Sequence, residues 1–143
     1  MIKVLRIVNR FNLGGPVYNV TYLSAFMPDE FETVLCGAMP ENHEGNALFI
    51  PENYGIKPVI IQSMQRSINP FNDRKALKEI RKIIQEYKPD IVHTHASKAG
   101  VLGRTAAYRE NVPVIVHTFH GHVFHSYFGK IKTWIYKSIE MRL

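Results

Sequence analysis

The sequence is poor in cysteine: Cys36 is the only one in 143 residues. An intramolecular disulfide framework and a Cys-rich zinc site are excluded. A reducing, cytoplasmic compartment is the simplest context. Cys36 itself is expected to act as a small buried hydrophobe. No apolar run approaches the ~20 residues that a membrane span requires. The opening stretch Met1–Val8 is interrupted by Lys3 and Arg6 and precedes no small-residue cleavage site, so it reads as a first β-strand rather than a secretory leader. Acidic side chains are scarce late in the chain. From Ile91 to Leu143 only Glu110 and Glu140 stand against seven Lys and Arg, which leaves +5 of the formal +6 in the final 53 residues. Six of the seven histidines lie there too. This tilt is either a solvated basic face or a surface for an anionic partner.

Several motifs are also missing. There is no GxGxxG, no P-loop Gly-Lys-Ser/Thr, no His-Glu-x-x-His and no nucleophile elbow. No carboxylates stand at spacings that suggest paired acid–base work. Asp90 precedes its strand and should lie at the wrong end of a sheet for chemistry. Nothing here looks able to run a complete reaction unaided.

What is present is ordinary for a globular domain: 45% hydrophobic and 21% charged residues, which excludes disorder and fibrous repeats. Short β-branched runs at Ile2–Val8, Phe31–Cys36, Pro58–Ile61, Asp90–His93 and Pro113–His117 predict five strands. Helical spacing lies between most of them. Ala76, Leu77, Ile80, Ile83, Ile84 and Tyr87 form an i, i+3, i+4, i+7 stripe that Pro89 ends. A first helix is expected from Pro16 to about Met27, and another from Ser97, as N-cap, to about Asn111. Met39–Asn46 and Gln62–Asn72 read as loops. Tyr127–Leu143 looks helical, with no strand after it. Alternating strands and helices predict an α/β fold: a Rossmann-like, three-layer domain with a mostly parallel sheet. A single domain over 1–143 is expected, cut short rather than finished.

In such a sheet, ligands bind beyond the carboxyl ends of the strands, and four unusual stretches fall there. Asn9-Arg10-Phe11-Asn12-Leu13-Gly14-Gly15-Pro16 follows the first strand. Its glycines would let a ligand approach the backbone, and the helix start favours an anion; a tight turn is the plainer explanation. Arg66, in Ser63–Pro70, is a fixed cation in a loop after the third strand. His93–Arg104 runs from a strand into a helix, with Lys98 near its start and with Gly100 and Gly103 suited to close packing. His117–His125 carries a histidine cluster. With neither acids nor cysteine nearby it makes a poor metal site and suits hydrogen bonding to a sugar or phosphate, or proton shuttling, better.

Taken together, Gly14-Gly15-Pro16, Arg66-Ser67-Ile68-Asn69-Pro70, Lys88-Pro89-Asp90-Ile91-Val92-His93-Thr94-His95-Ala96-Ser97-Lys98-Ala99-Gly100 and His117-Thr118-Phe119-His120-Gly121-His122 resemble the N-terminal domain of bacterial glycosyltransferase family 4. The resemblance implies the N-terminal half of a GT-B fold, whose C-terminal, donor-binding domain with its glutamate pair is absent here. It implies the acceptor-binding half of a retaining glycosyltransferase. Such an enzyme transfers a sugar from a nucleotide-sugar donor to a lipid-linked or saccharide acceptor in cell-surface polysaccharide synthesis. No metal or other cofactor is expected. Gly14 and Gly15 would approach the donor diphosphate, and His120 would reach the transferred sugar as the catalytic side chain. Arg66, His95, Lys98 and His122 would contact acceptor or phosphate. The expected place is the cytoplasm, at or near the inner face of the cytoplasmic membrane. Nucleic acid is not an expected partner, since no recognised motif surrounds the basic residues. The alternative is a non-catalytic binding or membrane-docking module that pairs with a separate catalytic chain, with Phe128, Lys130, Lys132, Trp134 and Lys137 on an interfacial helix.

Overall fold

The computed structural model describes residues 1–121 together with Trp134, Lys137, Ser138 and Met141. Five strands, β1 (Ile2–Arg10), β2 (Phe31–Ala38), β3 (Val59–Ile60), β4 (Ile91–His95) and β5 (Val114–Thr118), form one sheet in the order β3-β2-β1-β4-β5. Every pairing is parallel. Four helices connect or flank them: α1 (Gly15–Ala25), α2 (Phe49–Glu52), α3 (Pro70–Tyr87) and α4 (Ser97–Arg109).

The central strand shows why the sheet is covered on both sides. Val4 to Val8 are all buried, as expected of a strand covered on both faces, and the one charged residue among them, Arg6, donates from its guanidinium to Leu23 C=O. Leu5 and Ile7 face α3 and α4 and pack with Val92, Ile80 and Ala106. Val8 faces the other way and packs with Leu35, Val17 and Val20 of α1. Cys36 is fully buried, and burial pushes its thiol well above the ordinary range.

α3 presents Ala76, Ile80 and Ile84 to the sheet, and burying a side chain the size of Ile80 contributes about 1.5–3 kcal/mol. The helix ends at Lys88, which adopts a left-handed φ of 53° just before Pro89. Its start lies inside the stretch expected as loop. Asn69 is the N-cap, its side chain accepting from the N–H groups of Phe71 and Asn72 at 3.1 and 3.2 Å. Asp73 returns the favour by accepting from Asn69 N–H at 3.2 Å. Pro70 suits the first turn because its missing N–H would have had no partner.

The last expected helix, over 127–143, lies outside the described residues apart from the four named. Of these, Trp134, Lys137 and Ser138 are helical and Met141 N–H donates to Lys137 C=O at 3.0 Å.

Candidate functional site

The strand order reverses between β1 and β4, so the loops that follow these two strands part in opposite directions and leave a crevice at their carboxyl ends. Asn9 spans it. Its Oδ1 accepts from Ala99 N–H at 2.6 Å, capping α4 from a residue 90 positions away. Ser97, expected as N-cap, is the first helical residue instead. The cap position is Ala96, which has no side chain to give and holds φ 67°, ψ 169°. That backbone region favours glycine, and strain there costs about 1–3 kcal/mol. Ala96 N–H donates to Thr118 C=O at 3.0 Å, so the turn that strands Ala96 also fixes the end of β4 beside that of β5.

A cleft of about 330 Å³ opens here, lined among others by Asn9, Arg10, Arg66, Ile68, Lys98 and Leu102. A second, of about 380 Å³, lies beside it with Pro40, Gln62, Met64 and Gln65 in its walls. Arg66 belongs to both.

Three cations reach this region and two are already engaged. Arg10 makes a two-pronged contact with Glu44, at 2.6 and 2.7 Å, which holds the Glu44 carboxyl down at about 2. Lys98 Nζ lies 2.6 Å from Asp73 Oδ1 and donates to the backbone carbonyls of Gln65 and Ser67 at 2.7 and 2.5 Å. Its three donors are thus used to pin the loop that carries Arg66. Arg66 is exposed; its charge helps to hold the Glu44 carboxyl low, but it makes no hydrogen bond or close ion pair to another described residue. Of these three cations it is the one with donors open to an anionic ligand.

The two glycine pairs differ. A Cβ on Gly15 would meet nothing within 4 Å, and one on Gly14 only Pro16 Cδ at 3.7 Å. Nothing among the described residues therefore requires them to be small. A Cβ on Gly100 would stand 2.5 Å from His117 Cε1, and one on Gly103 2.5 Å from Thr94 Cγ2. These two let α4 lie close on the sheet.

The histidines separate by face. His117 lies against α4, its Nδ1 2.8 Å from Thr94 Oγ1 and its ring edge-on to Phe119 at 4.4 Å. His93 and His95 lie on the opposite face with ring centroids 4.0 Å apart, and His93 Nε2 is 2.9 Å from Thr118 Oγ1. His95 is fully buried. Its Nδ1 is 2.9 Å from Nε2 of His120, an exposed residue at φ 56°. Burial, then the neighbouring His93, His120, Arg6 and His117, take the His95 pKa down to about 2. Burial, then Arg6, His117 and His120, take His93 to about 4, and burial lowers His120 too. All three are neutral at pH 7. Among the described residues, no group of three His, Cys, Asp or Glu side chains is placed to hold a metal ion.

Of the residues singled out in the sequence, Gly14, Gly15, Arg66, His95, Lys98 and His120 lie at the carboxyl edge of the sheet, and His95 and His120 touch. His122 lies outside the described residues. Asn9, Glu44 and Asp73, which organise the edge, were not assigned roles from sequence. Only Asp73 had a local signal, as the acid of the Asn69-Pro70-x-x-Asp73 cap.

The profile of Glycosyltransferase Family 4 matches residues 14–143. The chain belongs to glycosyltransferase family 4. It is 40% identical over 86 residues to the UDP-Gal:alpha-D-GlcNAc-diphosphoundecaprenol alpha-1,3-galactosyltransferase of Escherichia coli, a match covering 60% of this chain and 22% of that enzyme. The fold is shared with a UDP-GlcNAc 2-epimerase from Methanocaldococcus jannaschii (TM-score 0.67, 14% identity, 96% of this chain and 37% of the other). It is shared likewise with Acinetobacter baumannii MurG (TM-score 0.63, 16% identity, 82% and 35%). The Rossmann-like, GT-B-type half-domain expected from the sequence is what the structure contains, with a wholly parallel sheet. The family member at hand spans about a fifth of the curated relative's length and just over a third of these solved chains.

Proposed function

We propose that the chain is the acceptor-side half of a retaining glycosyltransferase that moves a sugar from a nucleoside-diphosphate donor to a polyprenyl-diphosphate-linked sugar at the cytoplasmic membrane face. The observation that carries this is the exposed Arg66, with no hydrogen-bond partner among the described residues, in a loop that Lys98 pins at the rim of a cleft lined by Ile68. Ile68 and Phe71, three residues further on, are 81% and 83% exposed, which sets apolar side chains close in sequence to that cation. A diphosphate with a lipid tail matches both. The name of the E. coli relative specifies such an acceptor.

On the donor side, the open backbone at Gly14–Gly15 suits the approach of a diphosphate to the N-terminus of α1. As the leaving diphosphate departs, N–H groups oriented at that helix start stabilise its growing charge. His120, neutral and set inward on His95, meets the sugar as a hydrogen-bonding group. Donor selection belongs to a further domain, and the 143-residue chain alone transfers no sugar. His95 and Lys98 act through the groups they hold, and His122 remains a proposed acceptor contact. Trp134, 69% exposed, suits a membrane-peripheral position.

The test is sedimentation of the purified chain with vesicles that carry GlcNAc-diphosphoundecaprenol, against plain vesicles of the same charge. Preferential binding is expected, weakened about tenfold by Arg66→Ala, the loss of one phosphate contact. Equal binding to both vesicles, or sugar turnover by the chain alone, overturns the proposal.

A further inference from the structure

We infer that His95 is a positioning residue that locks His120 in its Nδ1–H tautomer, so that His120 offers an N–H donor rather than a lone pair from the carboxyl edge of the sheet. Its use in transfer rests on the reading of His120 as the sugar-facing side chain; the tautomer itself does not.

Of the two nitrogens at the 2.9 Å contact, one must donate. If His120 Nε2–H donated, His95 would carry its own proton on Nε2. That atom is buried and has no hydrogen-bond partner among the described residues. The large majority of buried side-chain polar atoms are paired, and an N–H left without an acceptor costs about 1–3 kcal/mol. The reverse assignment puts the His95 proton on Nδ1, where it is used, and leaves a lone pair on Nε2.

The surroundings favour the lone pair. Arg6 lies on the same face of the sheet, beside His93 in register. Its guanidinium donates to Leu23 C=O at 2.8 Å, and its Nε is buried without a partner. A nearby cation favours a lone pair over an N–H dipole. The two orphaned atoms, Arg6 Nε–H and His95 Nε2, have complementary polarity only in this tautomer.

With Nε2 of His120 accepting, its proton sits on Nδ1, at the other side of an exposed ring. Burial lowers the pKa of both histidines from the ordinary imidazole value, which favours the neutral pair at pH 7. His120 then binds a hydroxyl or acetamido oxygen of a sugar as a neutral donor and does not take up a proton. The groups that set this state are Arg6 on β1, His93 on β4 and His117 on β5.

Long-range 1H–15N correlation spectra of the 15N-histidine-labelled chain at pH 7 test it, with His120→Ala to assign the signals. The expected result is a protonated Nδ1 and bare Nε2 on His120, the reverse of the preference of a free histidine. His95→Leu should swing the ratio of the two tautomers toward Nε2–H by about tenfold, the scale of one hydrogen bond. His95→Asn, whose amide nitrogen stands where Nδ1 stood, should preserve Nδ1–H. A wild-type His120 protonated on Nε2, or an unchanged tautomer in a folded His95→Leu chain, overturns the inference. Should His95→Leu not fold, the wild-type and His95→Asn spectra decide. None of these spectra depends on sugar transfer, so they stand apart from any failure of the proposed function.

Discussion

A methyl group added at Gly100 would sit 2.5 Å from a ring carbon of His117, whereas one added at Gly15 would meet no heavy atom within 4 Å. Alanine favours a helix over glycine by about 1 kcal/mol, but overpacking costs about 1–3 kcal/mol. Gly100→Ala is therefore expected to lower stability in urea denaturation, while Gly15→Ala leaves it within about 0.5 kcal/mol. Unchanged donor use by Gly15→Ala in a longer enzyme would count against a diphosphate at that loop. The Arg10–Glu44 contact makes a pH-dependent prediction. Glu44 has a depressed folded pKa, so its contribution is complete above the unfolded value of about 4.3 and fades as pH falls toward about 2. Glu44→Gln should cost about 1–3 kcal/mol at pH 7, and the gap from wild type should close on acidification. A gap that is constant from pH 7 to 2 refutes this.

At the scale of elements, periodicity revealed those whose signal is local. The α3 stripe and the five β-branched runs emerged because each repeats within a few residues. What the sequence concealed is held by contacts between distant segments. α4 is capped by Asn9 across 90 positions, a pairing with no local trace. Lys98 reads as a free cation at a helix start until the fold brings Asp73 and two carbonyls to it. The histidines were visible as a cluster, yet only the pairing of β4 with β5 sorts them to two faces. Asn9→Ala should cost about 1–2 kcal/mol through the lost cap. Asn9→Asp should retain that stability, since it keeps the oxygen and adds a charge suited to a helix N-terminus. Equal losses in both variants, read by thermal unfolding, would show that the cap is not what Asn9 provides.

Over the whole molecule, β5 is the last strand of the sheet among the described residues, and its Val114, Ile115 and Val116 are 46%, 37% and 41% exposed. An apolar edge of this kind invites strand addition. The purified chain is expected to self-associate as concentration rises, and Val116→Lys should suppress this in sedimentation velocity. A wild-type chain that stays monomeric at high concentration contradicts the expectation.

The placement of β1 at the centre of the sheet also sets an order of events during synthesis. Its first neighbour, β2, emerges soon after it, but its second, β4, does not. Lys3 N–H meets Asp90 87 positions later, and Val4 pairs with Ile91. At about 5–20 residues per second, one side of β1 waits roughly 5–15 seconds for its partner. A nascent chain stalled before residue 91 leaves the Val4–Val8 edge of the central strand without its partner, which makes this interval the period of greatest need for a chaperone.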